Sequence, residues 1–434
     1  MEWYVIGTLM IVTLVILSLT GVPLAACLGL TAFGFLATGV GLQRAGLALN
    51  STVVEMWSSY SILAVPLFIF MSEFLFAGGV TENLFEMASK WFGRLPGGLA
   101  VASVAASAVF GALCGSSIAA IATIGIVTIP QMLKRGYDKR LATGCVANAG
   151  CLAHIIPPSV MAVLYAALVE VSPAQQQIAG LIPGIILAFV FAGVVIIWAL
   201  VKPAAAPREP AVPWIERFAV LKKVGGPAVI VVAVLGVIYT GIATVTEAAA
   251  IGAVAAIVLA LTSRKLTRSN FFDTLIKAAK TSSFILFIAV GGKFFGWVLN
   301  YFTVPQHIAD ALVATNWNGW VIMAMIQVMF IVLGCFVDPI GIMFTTVPIL
   351  QPIVEAFGFD LIWFGVLFLV NMEMAHVTPP LGFSLFIIKN IVGDKVALSD
   401  IIWGSLVFCI GTLAVLILIM AFPEIALWLP GKMS

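Results

Sequence analysis

Two histidines beside proline pairs are the residues of this chain best placed to do chemistry. His154 and His376 each stand three residues before such a pair, Pro157-Pro158 in one case and Pro379-Pro380 in the other. In a helix, proline removes an amide donor and leaves upstream carbonyl oxygens free. Free carbonyl oxygens suit a hard cation, and the N-terminus of the half-helix that follows suits an anion. The two segments therefore predict a paired site for a small anion and for cations such as sodium.

Both segments belong to an internal repeat with an offset of 222 residues, the spacing between His154 and His376. Residues with strong backbone or polar consequences recur at this spacing: Pro130, Gly136, Asp138, Ala153, Pro157 and Pro158 are matched by Pro352, Gly358, Asp360, Ala375, Pro379 and Pro380. This pattern indicates a duplication, with a first repeat at 1–201, a cytoplasmic linker at 202–224 and a second repeat at 225–434.

The composition is typical of a membrane protein. Hydrophobic residues make up 62% of the chain, charged residues make up 9%, and the mean hydropathy is +1.17. A transmembrane helix needs about 20 apolar residues, and such runs recur throughout, so we expect membrane lipid around much of the chain. The net charge of +2 gives no reason to expect nucleic acid as a partner. The six cysteines lie in apolar runs and predict no disulfide framework.

Basic residues indicate the topology. Of the 21 Lys and Arg residues, 18 lie in the stretches 79–96, 134–140, 202–223, 263–280 and 389–398. The positive-inside rule places all five stretches in the cytoplasm. The apolar stretch between the first two must then enter and leave on one side, which predicts a re-entrant hairpin at about 96–133. The repeat predicts a second hairpin at about 318–355.

We predict an all-α polytopic membrane protein in which each repeat has about five transmembrane helices and one hairpin. The helices that contain the proline pairs, at about 141–168 and 361–388, are expected to be broken. Because five is an odd number, the second repeat is expected to be inverted relative to the first. The hairpin tips are expected at Gly115, Ser116 and Ser117 and at Gly334, Asp338 and Gly341.

Structural alternatives exist for several of these residues. Gly115 also fits a GxxxG helix-packing pattern, and a single proline kink is common in membrane helices. Ionisable residues inside apolar membrane segments are candidates for function. In this chain they are Glu247, Lys293, Asp338 and Glu373. Each can instead be half of a structural ion pair, above all Glu247, which is near a helix end. Lys293 either attracts an anionic substrate or neutralises Asp338 or Glu373.

The motifs together resemble one family. They are the run from Gly93 to Gly144 with its Gly-Ser-Ser, Ile156-Pro-Pro-Ser159, Thr244-Val-Thr-Glu247, Val337-Asp-Pro339, Asn371-Met-Glu373 and Thr378-Pro-Pro-Leu-Gly382. With them, nearly the whole chain closely resembles the large membrane (M) subunit of tripartite ATP-independent periplasmic (TRAP) transporters. The resemblance implies an elevator-type fold of the ion transporter superfamily. It also implies a sodium-driven importer of organic acids such as dicarboxylates, located in the bacterial inner membrane.

The resemblance further implies two partners, a soluble periplasmic substrate-binding protein and a small four-helix membrane subunit on a separate polypeptide. It implies no cofactor besides sodium as the coupling ion. Cation sites are implied where each hairpin tip meets a break, at Gly115, Ser116, Ser117 and Pro157 and at Gly334, Asp338, Gly341, Thr378, Pro379 and Gly382. The candidate substrate contacts are Ser116, Ser117, Ser159, His154, His376, Thr378 and Lys293.

The two histidines depart from the family, which usually has aliphatic residues at these positions. Each is either a core imidazole or a group for substrate hydrogen bonding or proton coupling. Glu373, three residues before His376, is a candidate partner for it on one helix face. The alternative function is a sodium- or proton-coupled anion symporter of the same superfamily that works without a binding protein. A membrane hydrolase needs a His-Glu-x-x-His or Gly-x-Ser-x-Gly pattern, which the sequence lacks, so no enzyme activity is expected.

Overall fold

The structure is a computed structural model that describes residues 2–210, 212–263, 266–380 and 382–433. Arg264 and Lys265 of the basic stretch 263–280 lie outside these ranges, as does Leu381 of the second proline motif. Within them the chain forms helices and connecting turns and no β-strand. The α-helices are α1 (Trp3–Leu19), α2 (Leu24–Val40), α3 (Leu42–Ser58), α4 (Ala64–Ala77), α5 (Val80–Phe92), α6 (Gly98–Cys114), α7 (Ser117–Lys134), α8 (Lys139–Cys151), α9 (Val160–Val169), α10 (Pro173–Ala179), α11 (Leu181–Val201), α12 (Trp214–Tyr239), α13 (Val245–Thr262), α14 (Arg268–Tyr301), α15 (Val304–Ala314), α16 (Gly319–Gly334), α17 (Pro339–Ala356), α18 (Leu361–Ala375), α19 (Phe383–Val392), α20 (Leu398–Ala421) and α21 (Glu424–Leu427).

Apolar runs fold as helices here because a helix satisfies its own backbone hydrogen bonds, which lipid cannot do. Large side chains on the long helices point outward, for example Phe189 on α11 and Val232 on α12, which are 74% and 71% exposed. Among the described residues, seven segments are long and apolar enough to span a membrane, namely α7, α10 with α11, α12, α13, α14, α17 and α20. The prediction of an all-α polytopic membrane protein is confirmed.

Helices in the two halves of the chain start at matching places. Helix α7 begins at Ser117 and α17 at Pro339, and α8 begins at Lys139 and α18 at Leu361. Each of these pairs is separated by 222 residues, the offset of the repeat. The inversion of the second half relative to the first stays a prediction.

Some helices differ from the expected pattern. Helices α3, α5 and α15 were not predicted. They are amphipathic and lack the long apolar run by which a membrane helix is recognised. Helix α12 starts at Trp214, inside the linker predicted for 202–224, because Pro213 precedes it and strong helix formers follow. The first helix of the second half therefore begins before residue 225.

Two helix pairs and two helix interruptions position the candidate site. Helices α6 and α7 pack against each other and meet at residues 115–117, the first tip; α16 and α17 meet at residues 334–341, the second tip. Helix α8 is separated from α9 by residues 152–159, the first break. Helix α18 is separated from α19 by residues 376–382, the second break.

The linker holds the base of the first helix pair. The Asp138 amide donates to the Ala205 carbonyl at 2.8 Å, and the Tyr137 hydroxyl donates to the Pro207 carbonyl at 3.0 Å. The Arg135 guanidinium lies 3.2 Å from the Glu209 carboxylate. These contacts connect the end of α7 to the segment that leads into α12.

Candidate functional site

Ser117 joins the first tip to both breaks. Its hydroxyl oxygen lies 2.7 Å from Nε2 of His154 and 3.3 Å from Nε2 of His376. The two imidazole rings meet edge to face with their centroids 4.6 Å apart. All three side chains are buried. The repeat-related histidines, which sequence analysis placed on two separate breaks, therefore form one cluster with a serine of the first tip.

The hydrogen-bond pattern of this cluster depends on the tautomer of each imidazole. The Ser117 hydroxyl carries one proton, so it can donate one of the two bonds while it accepts the other. A neutral imidazole that accepts at Nε2 carries its proton at Nδ1, whereas one that donates at Nε2 has a lone pair at Nδ1. Neither Nδ1 atom has a hydrogen-bond partner among the described residues. With Ser117 in this bridging role, the neutral pair offers one free donor and one free acceptor.

The first tip approaches the first break closely. Gly115 has φ +58°, and a Cβ there would lie 2.8 Å from the Pro158 carbonyl oxygen. Only glycine fits both the left-handed backbone and this approach. A Cβ on Gly111 would similarly lie 3.0 Å from the Ala153 backbone. The close approach brings the tip against the first break, and the cation site at Gly115, Ser116, Ser117 and Pro157 stays a prediction.

Ser159 and Gln177 brace the first break. The Ser159 amide donates to Oε1 of Gln177 at 2.8 Å, and Nε2 of Gln177 donates to the Ser159 carbonyl at 2.9 Å. The Ser159 hydroxyl donates to the His154 carbonyl and also caps α9 by accepting from the Ala162 amide. Ser159 thus shapes the break, and its hydroxyl is bonded to backbone groups of His154 and Ala162 and not to an imidazole nitrogen. Gln177 was not predicted from the sequence, where its signal is a polar residue just before an apolar run.

The second tip lies against the second break. A Cβ on Gly334 would lie 2.8 Å from Cα of Ala375. Asp338 is half-buried and caps α17, because its Oδ2 accepts from the Gly341 amide at 3.0 Å. The Thr378 hydroxyl donates to the Met374 carbonyl at 2.6 Å, which leaves its lone pairs available to a cation.

Three further predicted residues lie at the first tip and in the second break. Ser116 is the N-cap residue of α7, is half-buried and makes no side-chain capping bond. Gly382 has φ +33°, a conformation that favours glycine, and precedes α19. Pro379 lies within the second break, between Thr378 and Gly382. No group of three or more His, Cys, Asp and Glu side chains among the described residues is arranged to hold a metal ion.

Lys293 lies apart from this cluster. Its ammonium contacts the Glu55 carboxylate at 2.6 Å, which joins α14 to α3. A second lysine of α14, Lys277, lies 2.8 Å from Glu73 on α4. The expectation that Lys293 neutralises Asp338 or Glu373 is wrong, because its acid is on α3, a helix that sequence analysis did not predict.

Glu247 has a capping role in place of the expected ion pair. Its carboxylate accepts from the Thr244 amide at 2.8 Å, and the Thr244 hydroxyl accepts from the Glu247 amide at 3.3 Å. This reciprocal capping box begins α13. The pattern Thr-x-x-Glu was present in the sequence and is the signal that predicts it.

Glu373 does not pair with His376 as expected. It is 2% exposed on α18, and neither of its carboxyl oxygens has a hydrogen-bond partner among the described residues. The Nε2 atom of His376 is directed to Ser117 instead.

The family is established by comparison with known proteins. The model of the family described as "Tripartite ATP-independent periplasmic transporter, DctM component" matches residues 11–425. The chain belongs to this family. It is therefore a large permease of a TRAP transporter and a multi-pass membrane protein.

Curated relatives of this TRAP permease are named for different substrates. It is 34% identical over 378 residues to the C4-dicarboxylate TRAP transporter large permease protein DctM of Pseudomonas aeruginosa, with 87% of this chain and 88% of the relative covered. It is 32% identical to the ectoine/5-hydroxyectoine TRAP transporter large permease protein UehC of Ruegeria pomeroyi, with 96% and 97% covered. It is 28% identical to the sialic acid TRAP transporter large permease protein SiaM of Vibrio cholerae, with 86% of each covered. These relatives are transporter permeases and not enzymes.

The fold of the TRAP permease also resembles a solved transporter. The crystal structure of the Alcanivorax borkumensis YdaH transporter matches with a TM-score of 0.62 at 14% identity, and 90% of each chain is covered. At this identity the likeness shows a shared fold alone.

Proposed function

We propose that the chain is the large permease of a sodium-coupled TRAP transporter that imports a small organic acid across the bacterial inner membrane. A periplasmic binding protein delivers the substrate, and a small four-helix subunit completes the membrane complex. The observation that carries this proposal is the Ser117 junction, where the first tip meets the imidazoles of both breaks.

The junction suits an anion. Ser117 is the first residue of α7, so the amides of the first turn of α7 have no partner within the helix and the positive end of its dipole lies there. His154 and His376 add side-chain donors or acceptors on the facing side. A carboxylate that enters when the tip and the breaks separate would meet helix amides and imidazoles together.

The two pairs of tip and break suit two cation sites. The first tip reaches the Pro158 carbonyl, and the second tip packs against the end of α18. Broken helices present carbonyl oxygens, and the hydroxyls of Ser116 and Thr378 can add further oxygen ligands. Hard cations prefer such oxygen ligands, which supports sodium as the coupling ion.

The free donor and the free acceptor of the bridged histidine pair support a narrower class of substrate. A donor and an acceptor side by side complement a carboxylate that carries a neighbouring hydroxyl or amide. Three relatives at 30% to 34% identity are named as C4-dicarboxylate permeases. We therefore expect a small dicarboxylate with a hydroxyl group to be preferred over its unsubstituted analogue.

Uptake into proteoliposomes tests the proposal. The chain is reconstituted with its small subunit and binding protein, and uptake of malate and succinate is measured with and without an inward sodium gradient. Uptake that needs sodium and the binding protein supports the proposal. Sodium-independent uptake would overturn it, and uptake without the binding protein would favour the simpler anion symporter.

A variant tests the substrate class. Replacing His376 by Met removes one imidazole, so the pair no longer offers both a free donor and a free acceptor. We expect the ratio of malate to succinate uptake to fall toward one. His307→Met is the matched control, because His307 stacks on Trp3 away from the junction. Comparing ratios with one binding protein cancels that protein's own selectivity. An unchanged ratio in His376→Met would contradict the assignment.

A further inference from the structure

Glu373 is a buried acid that the anion and cation sites do not use. Its side chain is 2% exposed, and both carboxyl oxygens lack a hydrogen-bond partner among the described residues. A carboxylate placed in such surroundings loses its hydration without compensation, whereas a neutral carboxylic acid loses far less. The geometry therefore requires something that neutralises the charge.

The neighbouring groups supply no positive charge. Cys151 is the last residue of α8, a helix that packs against α18. The elements packed against α18 carry these further titratable or charged groups in their described parts: Lys139, Arg140 and Cys145 on α8, His154 in the first break, Tyr165 on α9, Cys335 after α16, Asp338 directly before α17, Glu355 on α17, Asp400 and Cys409 on α20, and Glu424 on α21, with Asp360 directly before and His376 directly after α18. Of the two cations, Arg140 pairs with Asp400 at the far end of α8, where Lys139 also lies.

A proton fits this position better than sodium. A hard cation needs several oxygen ligands, but no described hydroxyl or amide group is hydrogen-bonded to either carboxyl oxygen of Glu373. Near it, Cys151 contributes sulfur, and its thiol contacts the Ser384 hydroxyl at 3.4 Å. Sulfur is a poor ligand for a hard cation. A proton needs only the carboxyl oxygen to which it bonds.

We propose that Glu373 is a proton-binding site of the transport cycle. The carboxyl is protonated while the second break is closed and packed, as in this structure. When the break opens to water on either side, the carboxylate is hydrated and the proton can leave to that water or be regained from it. The proposal rests on the proposed transport function, and it adds a proton to the cycle at a residue of its own, separate from the histidine pair.

Two measurements test this assignment. The first is the infrared C=O stretch of protonated carboxyl groups in the purified full-length chain. Wild type minus Glu373→Gln should show the loss of one such band, whereas wild type minus Glu424→Gln should not, because Glu424 is exposed. Absence of a lost band for Glu373→Gln would overturn the proposal, and this readout does not depend on uptake.

The second measurement is proton movement during uptake, read with a pH dye inside the proteoliposomes that contain the complete complex. We expect about one proton moved per substrate in wild type, a ratio near zero in Glu373→Gln, and partial recovery in Glu373→Asp. Sodium-driven uptake without proton movement in wild type, or the same ratio in Glu373→Gln, would overturn the assignment. A wild type without sodium-driven uptake would instead overturn the proposed function.

Discussion

Replacing Ser117 by alanine removes the hydroxyl that joins the first tip to both imidazoles. Two hydrogen bonds, at 2.7 Å and 3.3 Å, are lost. The Nε2 atoms of His154 and His376 then remain buried without a partner, and a buried polar atom without a partner costs about 1 to 3 kcal/mol. For two such atoms, we expect the free energy of unfolding to fall by about 2 to 6 kcal/mol.

Ser116→Ala is the matched control, because the neighbouring hydroxyl makes no side-chain capping bond. Its free energy of unfolding should change by about 0.5 kcal/mol or less. Both variants are unfolded reversibly in mixed micelles, and their midpoints and slopes are compared with those of wild type. Adding His154→Leu and His376→Leu to Ser117→Ala should recover part of the loss, since no nitrogen atoms remain without partners. Equal losses in Ser117→Ala and Ser116→Ala would refute the reasoning.

Three further predictions concern sodium, the close approach and topology. Thr378→Val should raise the sodium concentration for half-maximal uptake, because it removes a hydroxyl whose lone pairs are free; an unchanged value would move the cation elsewhere. Gly115→Ala should destabilise the chain by about 1 to 2 kcal/mol for its left-handed backbone alone, and the added Cβ would also overlap the Pro158 carbonyl oxygen. Its control is Gly136→Ala, which should show the backbone cost only, because Gly136 has φ +81° and no neighbour within 4 Å. A cysteine at Arg135 should be protected from an impermeant thiol reagent added to the periplasm, and one at Asn316 should react; labelling at Arg135 would contradict the hairpin topology.

The sequence predicted the helical membrane fold and the residues of the junction, because proline, glycine and histidine leave strong local signals. It did not predict that one serine contacts both histidines. The position in the second half that matches Ser117 is Pro339, which has no hydroxyl, so repeat symmetry alone gives no partner for the pair. One of the two roles predicted for Lys293, neutralising Asp338 or Glu373, was wrong, because its partner Glu55 is on a helix that lacks a long apolar run.

Some chemically important residues of the site follow the internal repeat, and others do not. His154 and His376 occupy matching positions of the two repeats and their rings are in contact, so each repeat contributes one imidazole. The serine of the first tip and the acid of the second half have no chemical counterpart, since Pro339 matches Ser117 and Cys151 matches Glu373 at the same offset. A single hydroxyl between two equivalent rings can donate to one while it accepts from the other, and this arrangement would give an otherwise symmetric pair a direction. A single acid on one side of that pair adds a titratable group to one copy only. We infer that the residues without a counterpart in the other repeat, rather than the repeated ones, make the two sides of this site different.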